Sequence, residues 1–404
     1  MKILYFGDSP LITTGLAQVS RTILDALCDD YDIEVIAMNH WKDEHADNPL
    51  PYVIHPCVSS DYRNVESARE LILAANYDMF IYSADVGFTD IFIWLQEARA
   101  KRDFMLVAYV PVDCDTIHST AFDCLATANV IITYTEHGKQ VISRYKPDLA
   151  DRINVIPLAC EPGIYYPYDH DTKRALRKEI FGIEDSTFLV GCVERNQHRK
   201  DLGRLMMYFH EYHEKYNPYS ILYLHAAQND IGGSLPAMAL SIGMKIEGED
   251  REIFFTDTSF STTQGMPTQW MNKLYNCFDV FVSCTTGEGW GLSKTEAMAA
   301  GCPVLIPDNT ANREHIGSNE ERGFLMKTGG DLDHQQFLYG LVNYPRDIVH
   351  SESFLYNLDY IHGHRFDATM RAVSAIEWTR EHTADKIAVQ WQKLAEIAER
   401  FNEG

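Results

Sequence analysis

Hydrophobic positions along the 404-residue chain switch repeatedly between two periods. KILYFGD (2–8) is an unbroken apolar run closed by Gly-Asp, and helical spacing follows from Leu16 to Leu27. IEVIAM (33–38), DMFIYS (78–83), FMLVAYVPV (104–112), NVIITYT (129–135) and INVIPL (153–158) repeat the run, with helical patterns between most of them. Strands that are apolar throughout are buried on both faces, so this half predicts a parallel sheet covered by helices on each side. CEPGIYYPYDHD (160–171), rich in proline, glycine and tyrosine, reads as a crossing between domains. The alternation then restarts with TFLVGCV (187–193), ILYLHAA (221–227), EIFFTD (252–257), DVFVSC (279–284) and PVLIP (303–307). From about Phe366 to Phe401 no strand run occurs, and two or three helices are expected, among them ADKIAVQWQKLAEIAERF (384–401) with one apolar face. The fold class expected is α/β: two doubly wound Rossmann-like domains facing across a cleft, with ligands beyond the carboxyl ends of the strands.

Composition narrows this picture without changing it. The length exceeds one ordinary compact domain and suits two. With 46% hydrophobic and 23% charged residues the chain reads as globular, and no apolar run approaches the ~20 residues of a membrane span. MKILYFGD lacks a small-residue cleavage site, which favours a buried first strand over a signal peptide. Nine cysteines, no two of them three apart, exclude a CxxC metal or redox pair and imply reduced thiols in a cytoplasmic protein. A formal charge of −23 leaves nucleic acid possible as a partner but disfavoured. The one local basic cluster, Lys173, Arg174, Arg177 and Lys178, reads as a solvated helix face.

Four segments carry candidate chemistry. In TTGEGWGLSKTEAMAAGCPVL (285–305) a glycine-rich loop leads from a strand into a helix start. Gly287, Gly289 and Gly291 let backbone amides approach a ligand, and the helix N-terminus suits phosphate. Ser293-x-x-Glu296 also fits a capping box, so Glu296 stands level between helix cap and ligand contact. Glu288, on the glycine-rich tip, has no such bland role. In VERNQHRKDLGRL (193–205) Arg195 and Lys200 follow a strand, a pair of cations that suits a diphosphate. In GDSPLITTGLAQVSRTIL (7–24) Thr13, Thr14 and Gly15 form a possible phosphate-facing turn that is neither GxGxxG nor a Walker loop. In YVPVDCDTIH (109–118) Asp113, Asp115 and His118 cluster beyond a strand end, open to a metal-binding Asp-x-Asp or to a polar contact with a sugar hydroxyl.

Together these segments resemble the retaining glycosyltransferases of the GT-B fold, in particular their large fourth sequence family. EGWGLSKTEAMAAGCPVL looks like that family's Glu-x7-Glu segment, and VERNQHRKDL looks like its diphosphate-binding Arg…Lys segment. The resemblance is most specific over 188–310 and weakest in 1–130. It implies an acceptor-side domain (1–165), a donor-side domain (166–368) and helices (369–404) packing back toward the first. It further implies a nucleotide-diphosphate sugar as co-substrate, a hydroxyl acceptor the sequence does not identify, and neither cofactor nor metal. Arg195 and Lys200 would hold the diphosphate, Glu296 the ribose and Glu288 the donor sugar. Gly289, Trp290, Gly291, Leu292 and Ser293 would surround sugar and phosphate, and Gly15 would close over the diphosphate. Asp113 or His118 would steady the sugar where relatives place a histidine. Metal-binding Asp-x-Asp belongs to the other major glycosyltransferase fold, which counts against a metal at Asp113 and Asp115. Alternatives are the same chemistry on a modified DNA base and a non-catalytic sugar-nucleotide-binding protein. FFTDTSF (254–260) is the expected surround of the base.

Overall fold

The computed structural model describes residues 1–39, 50–57, 66–258, 265–338 and 344–403. The chain forms two compact units. Met1–Val112, Ile117–Ala159 and Ala384–Gly404 make the first; Asp113–Thr116 and Cys160–Thr383 make the second. The boundaries at 159/160 and 383/384 differ from the expected 165/166 and 368/369. Proline and tyrosine mark the start of the second unit rather than the end of the first.

The first unit is built on β1 (Lys2–Asp8), β2 (Asp32–Met38), β3 (Val53–Pro56), β4 (Met79–Ser83), β5 (Met105–Val110), β6 (Val130–Thr133) and β7 (Ile153–Val155), in the order β3-β2-β1-β4-β5-β6-β7 and all parallel. Its helices are α1 (Gly15–Leu27), α2 (Glu66–Ala74), α3 (Thr89–Arg99) and α4 (Glu136–Tyr145). The central strands β1, β4 and β5 are buried almost throughout, which is why they read as continuous apolar runs. β3 escaped prediction because an edge strand with two exposed and two half-buried residues carries no such run. The predicted strand 129–135 stops at Thr133, since the Thr135 side chain is committed to capping α4 by accepting from Gly138 N.

The second unit repeats the design. It contains β8 (Phe188–Val193), β9 (Ser220–His225), the hairpin β10 (Asn229–Asp230) and β11 (Gly233–Ser234), then β12 (Ile253–Phe255), β13 (Val280–Val282), β14 (Val304–Pro307), β15 (Phe324–Met326) and the hairpin β16 (Gln335–Leu338) and β17 (Tyr344–Asp347). Its main sheet is parallel in the order β12-β9-β8-β13-β14-β15. The helices are α5 (His170–Phe181), α6 (Leu202–Lys215), α7 (Leu235–Ser241), α8 (Thr268–Cys277), α9 (Leu292–Ala299), α10 (Thr310–Ile316), α11 (Ser351–Gly363) and α12 (Arg365–Thr379). Two apolar clusters cover the sheet, one centred on Val190, Leu222 and Val280, the other on Leu189, Phe281 and Val304. Adjacent strand residues point to opposite faces and so fall in opposite clusters.

The last helix, α13 (Ala384–Glu403), is part of the first unit. Its buried Trp391 meets Tyr109 edge-on at 5.0 Å, and Gln392 Nε2 donates to the Ala26 carbonyl at 3.3 Å. α12 stays with the second unit, so one helix rather than the whole of 369–404 makes the return.

The basic cluster on α5 needs correction. Arg177 is buried, and its Nη1 donates to the Cys277 carbonyl at 3.0 Å and to Asp279 Oδ2 at 2.9 Å. Its charge ties α5 to the entry of β13 and is withdrawn from the surface. Among the exposed members, Arg174 pairs with Asp171 and Lys178 with Glu184.

Gly191 on β8 is a packing constraint, because a Cβ there would enter the Phe278 ring. Gly191→Ala is expected to cost about 1–3 kcal/mol, seen as a lowered denaturation midpoint. Gly203→Ala, whose Cβ would meet only Met238 Sδ at 3.8 Å, is expected to leave it within about 0.5 kcal/mol. Equal losses in the two variants would contradict this packing.

Candidate functional site

The order of the second sheet reverses between β8 and β13, which pair directly at Val190↔Val280. Their following connections leave in opposite directions across the sheet, opening a crevice at the carboxyl ends where α/β sheets bind ligands. The two loops there are 194–201 and 283–291, the two segments singled out from the sequence. Backbone hydrogen bonding zips them together, with Thr286 N donating to the Arg199 carbonyl at 2.8 Å.

Glu288 is the centre of the site. Its Oε1 accepts from Arg199 Nη1 at 2.7 Å, from Thr285 Oγ1 at 2.9 Å and from Lys200 Nζ. Its backbone N donates to Thr310 Oγ1 at 2.9 Å. Burial works to raise the Glu288 pKa, but Arg199 and Lys200 outweigh it and hold the carboxyl far below its ordinary range. Lys200 is buried and also ion-pairs with Glu194, whose Oε1 accepts from Ser283 Oγ at 2.7 Å. Burial lowers its pKa, and Glu194 and Glu288 more than restore it. Lys200 and Glu288 are therefore brought together in a direct ion pair. Arg195 is not with them. It is half exposed, and its Nε donates to Asp230 Oδ2 on β10 at 2.9 Å. The arginine against Glu288 is Arg199, which the sequence reading passed over although it stands next to Lys200.

The capping box is absent. Gly291, at φ +89°, is the N-cap of α9 and no side chain caps it. Counting from that cap, the third helical position falls on Lys294, so Glu296 lies too far along to reach back. Glu296 instead accepts from Tyr275 OH at 2.7 Å and from Tyr165, with burial raising its pKa against those hydrogen bonds. Ser293 sits inside the helix as an ordinary half-buried residue. Lys294 was likewise unforeseen. It is buried, its Nζ donates to Asn312 Oδ1 at 2.7 Å, and burial pushes its pKa down to about 7 against the pull of Glu288.

Glycine is required at two points of the loop. A Cβ on Gly287 would collide with the Asp113 carbonyl, and one on Gly291 would be strained by the positive φ and would crowd Lys294 Nζ at 3.3 Å. Trp290 is buried rather than presented, packed at 4.2 Å from His315 and 5.9 Å from Trp378, so its side chain anchors the loop between Gly289 and Leu292.

Asp113 and His118 separate. Asp113 belongs to the second unit, where its carboxylate meets Arg346 Nη2 at 3.0 Å and Arg199 Nε at 3.3 Å. Asp115 pairs with Arg313 at 3.2 Å. Each carboxylate of the DCD segment thus faces guanidinium. Neither belongs to the His/Cys/Asp/Glu groupings with metal-ligand spacing among the described residues. His118 belongs to the first unit, is exposed, and caps the 3-10 helix Ser119–Thr127 by accepting from Thr120 N at 3.3 Å. Gly15 opens α1 in the first unit behind Thr14, whose hydroxyl donates to Asp8 Oδ2 at 2.7 Å and accepts from Ala17 N at 3.1 Å. Of the segment expected around the base, Ser259 and Phe260 lie outside the described residues.

Two doubly wound parallel sheets, with the return of the last helix, define a GT-B fold, and known structures share it. HepE of Anabaena, solved with UDP and glucose, is 16% identical over 99% of this chain and 100% of that one, with a TM-score of 0.68. Sucrose-phosphate synthase of Thermosynechococcus elongatus is 13% identical over the whole of both chains, with a TM-score of 0.71. The lipopolysaccharide outer core galactosyltransferase WaaB is 13% identical over 99% of this chain and 100% of that one, with a TM-score of 0.64. Within the chain, residues 259–337 match the family described as glycosyl transferases group 1, a segment that contains Glu288, Lys294 and Glu296. No curated protein sequence matches the chain. No helix among the described residues is long and apolar enough to cross a membrane.

Lys294 gives this site a pH signature. With a folded pKa of about 7 against 10.5 unfolded, the folded state has lost the lysine proton between those values while the unfolded state keeps it. Stability therefore rises with pH across that window, by up to about 1.4 kcal/mol per unit. Lys294→Met is expected to remove the rise, read as a difference in denaturant midpoints from pH 7 to 10. Parallel curves for the two proteins would contradict a neutralised Lys294.

Proposed function

We propose that the chain transfers a sugar from a nucleotide-diphosphate sugar to a hydroxyl acceptor, with retention of anomeric configuration and no metal in the transfer step. The observation that carries this is Lys200 and Glu288, locked on each other at the switch point of a GT-B sheet, with Arg195 on the same loop. The UDP complexes of the similarly folded HepE support a nucleotide diphosphate as the donor's leaving portion.

The proposed roles follow from charge. As the bond between the anomeric carbon and the diphosphate breaks, negative charge grows on the diphosphate and positive charge on the sugar. Lys200 is already oriented by two carboxylates, so it stabilises the departing oxygen with little reorganisation. Arg195 exchanges its exposed pair with Asp230 for a bidentate contact to phosphate. The start of α9 adds backbone N–H groups. Glu288, held anionic, accepts from a donor-sugar hydroxyl, and Glu296 from the ribose. The acceptor oxygen attacks the face the diphosphate leaves and passes its proton to the departing phosphate oxygen. Retention then needs no protein nucleophile.

Screening nucleotide sugars for hydrolysis and thermal stabilisation tests the proposal and fixes base and sugar together. Absence of both with every donor would overturn it, and turnover that requires added Mn²⁺ or Mg²⁺ would overturn its metal-independent step. Lys200→Ala and Glu296→Ala are each expected to lower kcat/KM for the donor by roughly ten- to a hundredfold, the worth of one charge-assisted hydrogen bond at about 1.5–3 kcal/mol. Wild-type kinetics in both would remove the site assignment.

The two arginines are expected to part company. Arg195→Ala should weaken donor use while leaving the denaturation midpoint unchanged, because its ion pair is half exposed. Arg199→Ala should destabilise the fold by about 3 kcal/mol, read as a lowered midpoint, since Glu288 and Asp113 would lose a shared, largely buried partner. Measuring both quantities for both variants checks this; the reverse pattern would exchange their roles.

A further inference from the structure

The second unit holds a group of potential metal ligands that the transfer chemistry does not use. Asp331 caps the single 3-10 turn Leu332–His334 and His334 ends it, with Asp331 Oδ1 accepting from His334 N at 2.9 Å and meeting His334 Nδ1 at 2.6 Å. His350 arrives from the far strand of the β16–β17 hairpin. Its N donates to the Lys327 carbonyl at 3.0 Å, and its Nε2 meets the Gly329 carbonyl at 2.7 Å. One ligand atom from each of the three residues lies within 4.8 Å of the others. The two imidazoles are parallel, with centroids 3.4 Å apart, and His350 is buried.

We propose that Asp331, His334 and His350 bind one divalent cation of the zinc class, clamping the root of the β16–β17 hairpin. Two imidazoles and one carboxylate are the donor set of zinc and its late first-row neighbours, whereas magnesium and calcium take oxygen ligands. The His350 contact to the Gly329 carbonyl is the outer-shell hydrogen bond that fixes the tautomer of a metal-bound imidazole, leaving Nδ1 with its lone pair. Flat, face-to-face stacking is a poor arrangement for two rings on electrostatic grounds. A metal must lie near the plane of each ring, so coordination splays the pair apart and His334 exchanges its contact with Asp331 for the ion. The loop is shaped for close approach: Gly329 and Gly330 have φ of +56° and +90°, and a Cβ on Gly329 would strike the Asp347 carboxylate. Asp347 thus brings a second negative charge to the same loop.

The clamp bears on the donor site through one residue. Arg346, on β17 beside Asp347, bonds Asp113, which bonds Arg199, which bonds Glu288. Fixing the hairpin fixes that relay. The metal is a positioning element, not a participant in bond making.

The test uses the full chain, stripped with a chelator and titrated with Zn²⁺, and with Co²⁺ as the spectroscopic probe of imidazole coordination. About one ion per chain and a raised thermal midpoint are expected. His334→Gln and His350→Gln should each weaken binding at least tenfold, with the midpoint of the metal-free protein unchanged in His334→Gln. Should His350→Gln fail to fold, the half-exposed His334 decides the matter. Absence of binding overturns the proposal. So does zinc binding that survives both variants, or that is abolished by His210→Gln, which belongs to a second cluster with Glu214 and Glu252. Stoichiometry and midpoint do not depend on sugar transfer, so failure of the donor assignment would leave this result standing.

Discussion

Two cations adjacent in sequence, Arg199 and Lys200, converge on one oxygen of Glu288. Left alone, like charges at that range inside a protein repel strongly. Three carboxylates make the arrangement stable: Glu288 between the two, Glu194 on the far side of Lys200, and Asp113 on the far side of Arg199. Each carboxylate is tied further, Glu194 to Ser283, Glu288 to Thr285 and Asp113 to Arg346. Removing one member strands another in a poorly solvated place, so the network stands or falls as a unit. Lys294 is where the balance is tightest. A fourth basic group was admitted beside Lys200, and burial holds its pKa down to about 7.

Topology puts this network where it is. Because β8 and β13 are neighbours while their connections diverge, the ends of two loops meet without either folding over the other. Small residues then let them close up. Gly287 admits the Asp113 carbonyl, and Gly291 turns the chain into α9 without a side-chain cap. The resulting surface is made of fixed dipoles and held charges, the kind of preorganisation that stabilises a developing anion.

Much of this was legible in the residues. Strands buried on both faces announce themselves as continuous apolar runs, and all the central strands of both sheets were found that way. Edge strands such as β3, half solvated, carry no such signature. Glu288 could be singled out because glycines on both sides left it no structural task. Glu296 could not be separated from a helix cap, because the position of a cap depends on where the chain turns, and Gly291 turns it two residues before Ser293. Arg195 was singled out with Lys200, and Arg199, next to that lysine, was passed over. Only the side to which each guanidinium points, toward Asp230 or toward Glu288, distinguishes them. Arg177 misled for the same reason: a basic helix face reveals nothing of the Asp279 that one of its members is buried against.

The difference between the two arginines also separates two tasks that a single basic motif performs. A half-buried guanidinium such as Arg199 has already spent its hydrogen-bonding capacity on Glu288, Asp113 and the Gly287 carbonyl. It fixes the ionisation of Glu288 and the path of the loop, and has little left to offer a ligand. Arg195 is half exposed and held by one carboxylate on a two-residue hairpin strand, so exchanging that partner for phosphate costs little. Lys200 is the most buried of the three, a compact charge whose field extends beyond Glu194 and Glu288 without a change of partner. A site that must bind a dianion and then release it benefits from this division. In the proposed transfer, the permanent charges would set the potential and the exchangeable one would follow the ligand in and out.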